Sequence, residues 1–430
     1  MDPRARRIEP FRGLLYNPSR SGPLHEVIAP PYDLIDGAMQ ERLYQRSPYN
    51  VVRVELARGA DRYQAAAQTL REWIDRGVLT RPAHPAIYLY RQRFAIAGRT
   101  LTRSGFIVRL RLENFGPGRI LPHERTFPAA KEDRLRLLTA TETNISSIFG
   151  LYAGQHPQLD ALRARVAARE PLLAATDDLQ IENELHAIAD VGEIASIQEA
   201  LETPRILIAD GHHRYETALE YRRLRRAADG DPAEPQPYDY VLMTLVAWDD
   251  PGLVILATHR VVRGLDAEAL ASFAARAREL FEIEETVDRD RFRERLKAAG
   301  QGAIGVALRN HPGLQLLRLK DRAAMESIAP GAPPAVRELD VSILHGAILE
   351  RIFGIGPEQV RAGGNIEYTI DFDGALNAVE GGAADGAFLM NPPSIVDVER
   401  VSDAGATMPE KSTYFFPKLA TGLVINPVYD

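Results

Sequence analysis

The chain has 430 residues, too many for one ordinary core, so two or three domains are expected. Hydrophobic residues at 45% and charged residues at 26% describe a globular protein, and a net charge of −7 argues against a partner gripped through nucleic-acid phosphates. The sequence has no cysteine, which excludes disulfides, thiolate nucleophiles and cysteine-ligated metals.

Three consecutive regions are expected. Residues 1–120 read as mixed α/β, with strands at "PYNVVRVEL" (48–56), "AIYLYRQRFAI" (86–96) and "SGFIVRLRLE" (104–113). Between the first two, "DRYQAAAQTLREWIDRGVL" repeats apolar residues at helical spacing. Residues 121–265 form a second region. It opens on a Gly/Pro-bounded loop and a helix from near Lys131, and then turns helical and charged, with short strands around "LQIENELHAIAD". "RILIA" (205–209) reads as a buried strand followed by a helix through Arg226, and "YVLMTLVAW" and "GLVILATHRVV" read as further strands. Residues 266–430 form an α/β C-terminal region. It has helices at 267–280, 290–299, 339–352 and 374–380 and strands at "GAIGVAL", "LQLLRL" and "GAFLMN". Its last segment, 408–427, is rich in hydroxyls and aromatics and does not read as a tail. The longest apolar run, 241–248, is far short of a membrane span, and "MDPRARRIEP" lacks the apolar core of a signal peptide, so a cytoplasmic protein without a membrane partner is expected.

The chemistry concentrates in "ADGHHRYETA" (209–218). At a strand-to-helix turn the first helical N–H groups lack intrahelical partners and carry partial positive charge, which favours an anion such as phosphate. Gly211 lets a ligand approach the backbone, and Arg214 offers a bidentate clamp. His212 and His213 can donate to phosphate or move protons. Asp210 can cap the helix, hold a divalent cation or accept a hydroxyl proton. The plainer alternative is an Asp cap on a polar helix start. The basic run Arg222, Arg223, Arg225 and Arg226 reads as a solvated helix face.

Five of the 52 basic side chains are lysine, leaving 47 arginines, so the positions that keep a compact ammonium are informative. "LPHERTFPAAKEDR" (121–134) supplies His123, Glu124, Lys131, Asp133 and Arg134, or else is a surface loop and a charged helix start. Lys131 and Arg134 share a helix face and could flank an anion, and Glu124 is a candidate general base or metal ligand. "EKSTYFFPK" (410–418) adds Lys411, Ser412, Thr413 and Lys418 as candidate phosphate or carboxylate ligands, or as a loop that seals an interface. "APPYD" (29–33) and "SPYN" (47–50) each put a proline beside a tyrosine and can line a pocket, but Asp33 and Asn50 are equally good turn residues; Arg53 is a weaker candidate, and His259 reads as structural. No Walker loop, nucleophile elbow, zinc-protease helix or complete dinucleotide fingerprint occurs.

"ADGHHRYETA" resembles the D-G-H-x-R signature of the ParB/sulfiredoxin-like superfamily, which includes nucleotide-dependent free-serine kinases. Over nearly its full length the chain more closely resembles a bacterial and archaeal family of unknown function. It shares segments such as "APPYDLI" (29–35), "KEDRLRLLTATETNISSIFGLY" (131–152) and "MPEKSTYFFPKLATGLVI" (408–425). The resemblance implies a ParB/sulfiredoxin-like core with an added α/β C-terminal region. It also implies phosphates docked on the 210–214 turn and serine or phosphoserine as ligand. Sulfiredoxin chemistry needs a cysteine that is missing here, and no basic helix-turn-helix of the ParB kind is present.

The function expected from these readings is nucleotide-dependent phosphoryl transfer on a small hydroxy-amino acid. ATP or ADP and Mg²⁺ would be cofactors, with Asp210 and Glu124 as metal ligands, Asp210, His212, His213 and Glu124 as catalytic residues, and a small molecule as the partner. A phosphatase using the same anion site and a non-catalytic metabolite-sensing switch are the alternatives.

Overall fold

The computed structural model describes residues 6–115, 119–124, 126, 128–362 and 364–429. The chain is mixed α+β and divides into two compact units. The first comprises residues 1–122, 126–253 and 417–430, and the second residues 123–125 and 254–416. The first two sequence regions therefore fall largely in the first unit, and the last fourteen residues return to it from the C-terminal region.

The first unit is built on a mixed sheet of nine strands among the described residues. From one edge the order is Ile120–Leu121, Ile206–Asp210, Ile148–Tyr152, Tyr240–Ala247, Arg99–Arg111, Ile87–Ile96, Glu182–Ile188 and Leu173–Thr176, with Ile8–Glu9 also on Arg99–Arg111. The central strand Tyr240–Ala247 is buried along its whole length, as an uninterrupted apolar run requires. Its neighbours differ in direction, Ile148–Tyr152 being parallel and Arg99–Arg111 antiparallel. Helices Pro157–Ala167, Val191–Ala200 and His212–Ala228 contribute Leu162, Ile197 and Tyr215 to the core on this sheet.

The second unit carries a six-stranded sheet among the described residues. Its order is Phe281–Thr286, Leu314–Leu319, Ala303–Leu308, Gly386–Met390, His259–Val262 and Ile366–Thr369. Helix Ala267–Leu280 packs Leu270, Phe273 and Ala277 against Ile304, Leu317 and Phe388. Asp266 caps that helix by accepting from the N–H groups of Glu268 and Ala269.

Three elements depart from expectation. Residues 51–55, "VVRVE", are β-branched enough to read as a strand, yet Val52–Glu55 is a short helix. Asn50 is responsible: its Oδ1 accepts from the Val52 N–H at 3.0 Å, and its Nδ2 donates to the carbonyls of Glu26 and Ile28. The run 252–262 breaks into two strands, Val254–Leu256 and His259–Val262, which pair with different partners. The helix expected over 339–352 begins as Asp340–Ile343 and continues in wider π turns over Leu344–Glu350. Among the described residues no helix is long and apolar enough to cross a membrane.

Candidate functional site

The strand–turn–helix at 206–214 lies in the first unit. Ile206, Leu207, Ile208 and Ala209 are buried, and the strand's ladder with Ile148–Tyr152 shifts register between Ile208 and Asp210. The chain then leaves the sheet through Gly211 at φ 94° and ψ 30°, a left-handed conformation that glycine adopts without strain. Helix His212–Ala228 follows directly.

Glycine is required a second time, by space. A Cβ on residue 211 would lie 2.9 Å from Arg214 Nε and 3.0 Å from its Cζ. Arg214 can therefore fold back over the turn. Its Nη2 donates to Asp210 Oδ2 at 2.6 Å and its Nη1 to the Ser147 carbonyl at 2.6 Å. Lys418, from the C-terminal segment of the same unit, donates to the other Asp210 oxygen at 2.6 Å.

A third cation stands nearby. Arg103, on strand Arg99–Arg111, is 2% exposed; it donates to Gln92 Oε1 and the Pro417 carbonyl and lies 4.6 Å from the Phe149 ring centroid. Its Nη1 is buried without a hydrogen-bond partner. Burial lowers the guanidinium to about 10, against the opposing pull of Tyr90, Asp250 and Asp210. Burial by itself would raise the Asp210 carboxyl, but Lys418 and Arg214, with help from His212, hold it well below the usual carboxylate range.

Arg134, on helix Pro128–Thr141, is also buried. It pairs with Glu55 at 3.1 Å and with Asp133 at 2.5 Å, and it lies 4.3 Å from the centroid of Tyr32. Burial pushes the Tyr32 hydroxyl up to about 12 despite the fields of Arg214 and Arg134, so it stays a neutral donor near pH 7. Glu55 Oε1 also accepts from Ser146 Oγ at 3.3 Å. Glu55, Arg134, Ser146, Arg214 and Thr217 line one cavity of about 50 Å³, with Leu137 and Val241 among its apolar walls. Arg214 Nε and Thr217 Oγ1 are buried without partners, so polar donors remain at this cavity for a water or an anion oxygen.

The other expected site residues divide between the two units. His212 is buried and His213 half-buried in the first turn of the helix. Lys131 pairs with Glu216 at 2.7 Å, and Glu216 also accepts from Thr126 Oγ1 at 2.8 Å. Lys131 and Arg134 thus engage different carboxylates. In the second unit His123 is buried, with Nε2 2.9 Å from Thr413 Oγ1. Glu124 is half-buried, Lys411 is exposed at φ 53°, and Ser412 is buried; these three also belong to the second unit.

Asn50 and Arg53 bond to nearby backbone and shape their own loops, whereas Asp33 is exposed. His259 accepts from the Met390 N–H at 3.1 Å, and burial lowers it to about 4, as a structural imidazole requires. The basic run at 222–226 is not simply solvated: Arg226 pairs with Asp239 at 2.6 Å and Arg222 donates to the Leu112 carbonyl at 2.6 Å.

A divalent cation does not fit at Asp210. Each of its oxygens holds a cationic nitrogen at 2.6 Å, with Arg103 close enough to feel its charge. A hard cation there would meet like charge, and among the described residues no cluster of three or more His, Asp or Glu side chains forms a metal site.

Arg103, Glu55 and Ser147 escaped the sequence reading. Arg103 left no local signal, since Thr102 and Ser104 flank it on the strand.

A family model for proteins of unknown function (DUF1015) matches residues 8–342. The chain belongs to the DUF1015 family. No curated protein matches it. Among solved structures it is similar to free serine kinase in complex with AMP, at 14% identity and TM-score 0.36, with 72% of this chain and 86% of that one covered. It is also similar to a conserved hypothetical protein from Pyrococcus furiosus, at 13% identity and TM-score 0.34, covering 72% and 95%. A third similar structure is C-terminally truncated SbnI from Staphylococcus aureus, at 12% identity and TM-score 0.34, covering 72% and 84%.

Proposed function

We propose that this DUF1015 chain binds the phosphates of a nucleotide at its 210–214 turn and transfers a phosphoryl group to or from a small hydroxy-amino acid, with serine and phosphoserine favoured. The observation behind this reading is the excess of cations around one carboxylate. Arg103, Arg214 and Lys418 surround Asp210 at the start of a seventeen-residue helix, so a polyanion would relieve their repulsion. Structural likeness at TM-scores near 0.36 fixes no residue correspondence, so the proposal stands on this geometry. The AMP and ADP belong to the free serine kinase structures, and a nucleotide is assigned to this chain on its charge distribution alone.

The roles of the residues differ from the sequence expectation. A carboxylate held as acidic as Asp210 is a weak proton acceptor. In the proposal it aims Arg214 and Lys418, which neutralise phosphate charge as transfer proceeds. Glu55, which lines the cavity beside Arg214, takes the part of hydroxyl-proton acceptor, and His212 and His213 contribute donors from the helix start. Glu124, the other carboxylate expected in that part, lies in the second unit. No step is assigned to a metal at Asp210. A phosphatase would use the same anion site with water as acceptor.

The test is a thermal-shift screen of ATP, ADP, serine and phosphoserine on the wild-type chain and on Arg214→Ala. Stabilisation by a nucleotide that the variant loses supports the assignment, followed by transfer measured with labelled phosphate. A wild-type chain that responds to no phosphorylated compound overturns it.

A further inference from the structure

The second unit contains a buried cation that has no carboxylate partner among the described residues. Arg260, on strand His259–Val262, is 1% exposed. Its Nη1 donates to the Thr258 carbonyl and its Nη2 to the carbonyls of Lys411 and Glu410 at 3.2 and 3.4 Å, and the guanidinium sits 5.3 Å from the Tyr368 ring centroid. Among the described residues no carboxylate lies within ion-pairing distance of it, and its Nε has no hydrogen-bond partner. Neutral carbonyls and a ring face compensate poorly for removing a full charge from water.

Arg260 lines a cavity of about 30 Å³, and so does Thr258, whose hydroxyl is likewise buried and unpartnered. The same cavity is lined by Asp340 and Asp397. Asp397 is spent on structure, since one oxygen accepts from the Ser394 N–H, the Ser394 hydroxyl and Gln301. Asp340 is less committed. One oxygen accepts from the Gly302 N–H at 2.6 Å, and among the described residues no cation pairs with it within 4 Å. Burial raises its carboxyl to about 6, aided by the neighbouring charge of Asp397. Cation and carboxylate therefore face one cavity without neutralising each other.

We infer that this cavity binds the head group of a small zwitterion, an α-amino acid, with the carboxylate on Arg260 Nε and Thr258 Oγ1 and the ammonium on Asp340. A ligand carrying both charges a short distance apart satisfies both walls at once, whereas a simple anion or amine satisfies one and leaves the other exposed. This inference is independent of the nucleotide turn, because every residue it uses belongs to the second unit.

The experiment is calorimetric titration of the full chain with glycine, acetate and methylammonium, repeated on Thr258→Val, Arg260→Met and Asp340→Asn. Glycine is expected to bind, and each one-charge probe to bind at least about tenfold more weakly. Thr258→Val keeps the shape and leaves the guanidinium's carbonyl bonds alone, and loss of its one hydrogen bond is expected to weaken glycine binding about five- to tenfold. Arg260→Met abolishes glycine binding, and the Tm of the ligand-free variant does not collapse, because an unneutralised buried charge has been removed. Asp340→Asn erases the preference of the chain for glycine over acetate. The inference is overturned if glycine fails to bind the wild-type chain, if acetate or methylammonium binds as well as glycine, or if Thr258→Val leaves the affinity unchanged. Testing glycine on Arg214→Ala separates the two proposals, since that variant is expected to keep its glycine affinity.

Discussion

Gly211→Ala probes the turn most sharply, because it adds one methyl group at the point where backbone conformation and Arg214 meet. Residue 211 sits at φ 94°, where an alanine is strained by roughly 1–2 kcal/mol. The new Cβ also arrives 2.9–3.0 Å from the Arg214 guanidinium, closer than carbon and nitrogen approach without displacement. The guanidinium must move, and its bonds to Asp210 and to the Ser147 carbonyl lengthen. Gly230→Ala is the matched control. Its φ of 74° imposes a similar strain, yet nothing lies within 4 Å of the added Cβ. Gly230→Ala should lose about 1–2 kcal/mol in urea titrations, or roughly 2–8 °C in Tm for a unit of this size, and Gly211→Ala at least as much. Their affinities for ADP should separate: Gly230→Ala binds like wild type, and Gly211→Ala binds at least about tenfold more weakly. If Gly211→Ala is destabilised as much as the control but keeps wild-type affinity, Arg214 does not hold the ligand and the reasoning fails.

Other consequences concern the groups around that turn. Because the folded carboxyl of Asp210 titrates below its ordinary value of 3.8, its contribution to stability is complete above that pH and is lost as pH falls toward the folded value. Asp210→Asn should therefore be less stable at pH 7 by about 2–3 kcal/mol, and the gap should narrow on acidification below pH 4, as read by urea midpoints across pH. A constant gap would show that the pairing with Arg214 and Lys418 contributes nothing. Lys418→Met should raise the Asp210 carboxyl toward its ordinary range, seen by carbon NMR titration, and weaken nucleotide binding; an unmoved titration would mean that the 2.6 Å contact is not populated in solution. Glu55→Gln should retain ADP binding while losing transfer, and a variant that transfers at the wild-type rate would remove Glu55 from the proton step.

Local features of the site were legible in the sequence, and long-range ones were not. The run Ile206–Ala209 followed by glycine and a helical pattern placed the turn within a residue, since each of those signals is short-range. "VVRVE" misled because β-branching reports a preference that Asn50 overrides through bonds to residues more than twenty positions away. Lys418 was singled out as one of five lysines, but its partner lies 208 residues earlier in the chain, and nothing local to either residue announces the pair. Arg103 and Arg260 were missed for a related reason. A cation on a buried strand is recognisable only once the sheet and its cover are assembled and the guanidinium is seen to lie inside them. The expectation that Lys131 and Arg134 could flank one anion rested on helix spacing alone, and in the fold Glu216 pairs with the first and Glu55 with the second.

The most direct measurement of the central claim is a crystal structure of the chain grown with ADP. The account predicts phosphate oxygens within hydrogen-bonding distance of Arg214 and Lys418, over the first turn of helix His212–Ala228. Nucleotide density elsewhere, with the Asp210 contacts to those two cations unchanged, would contradict it.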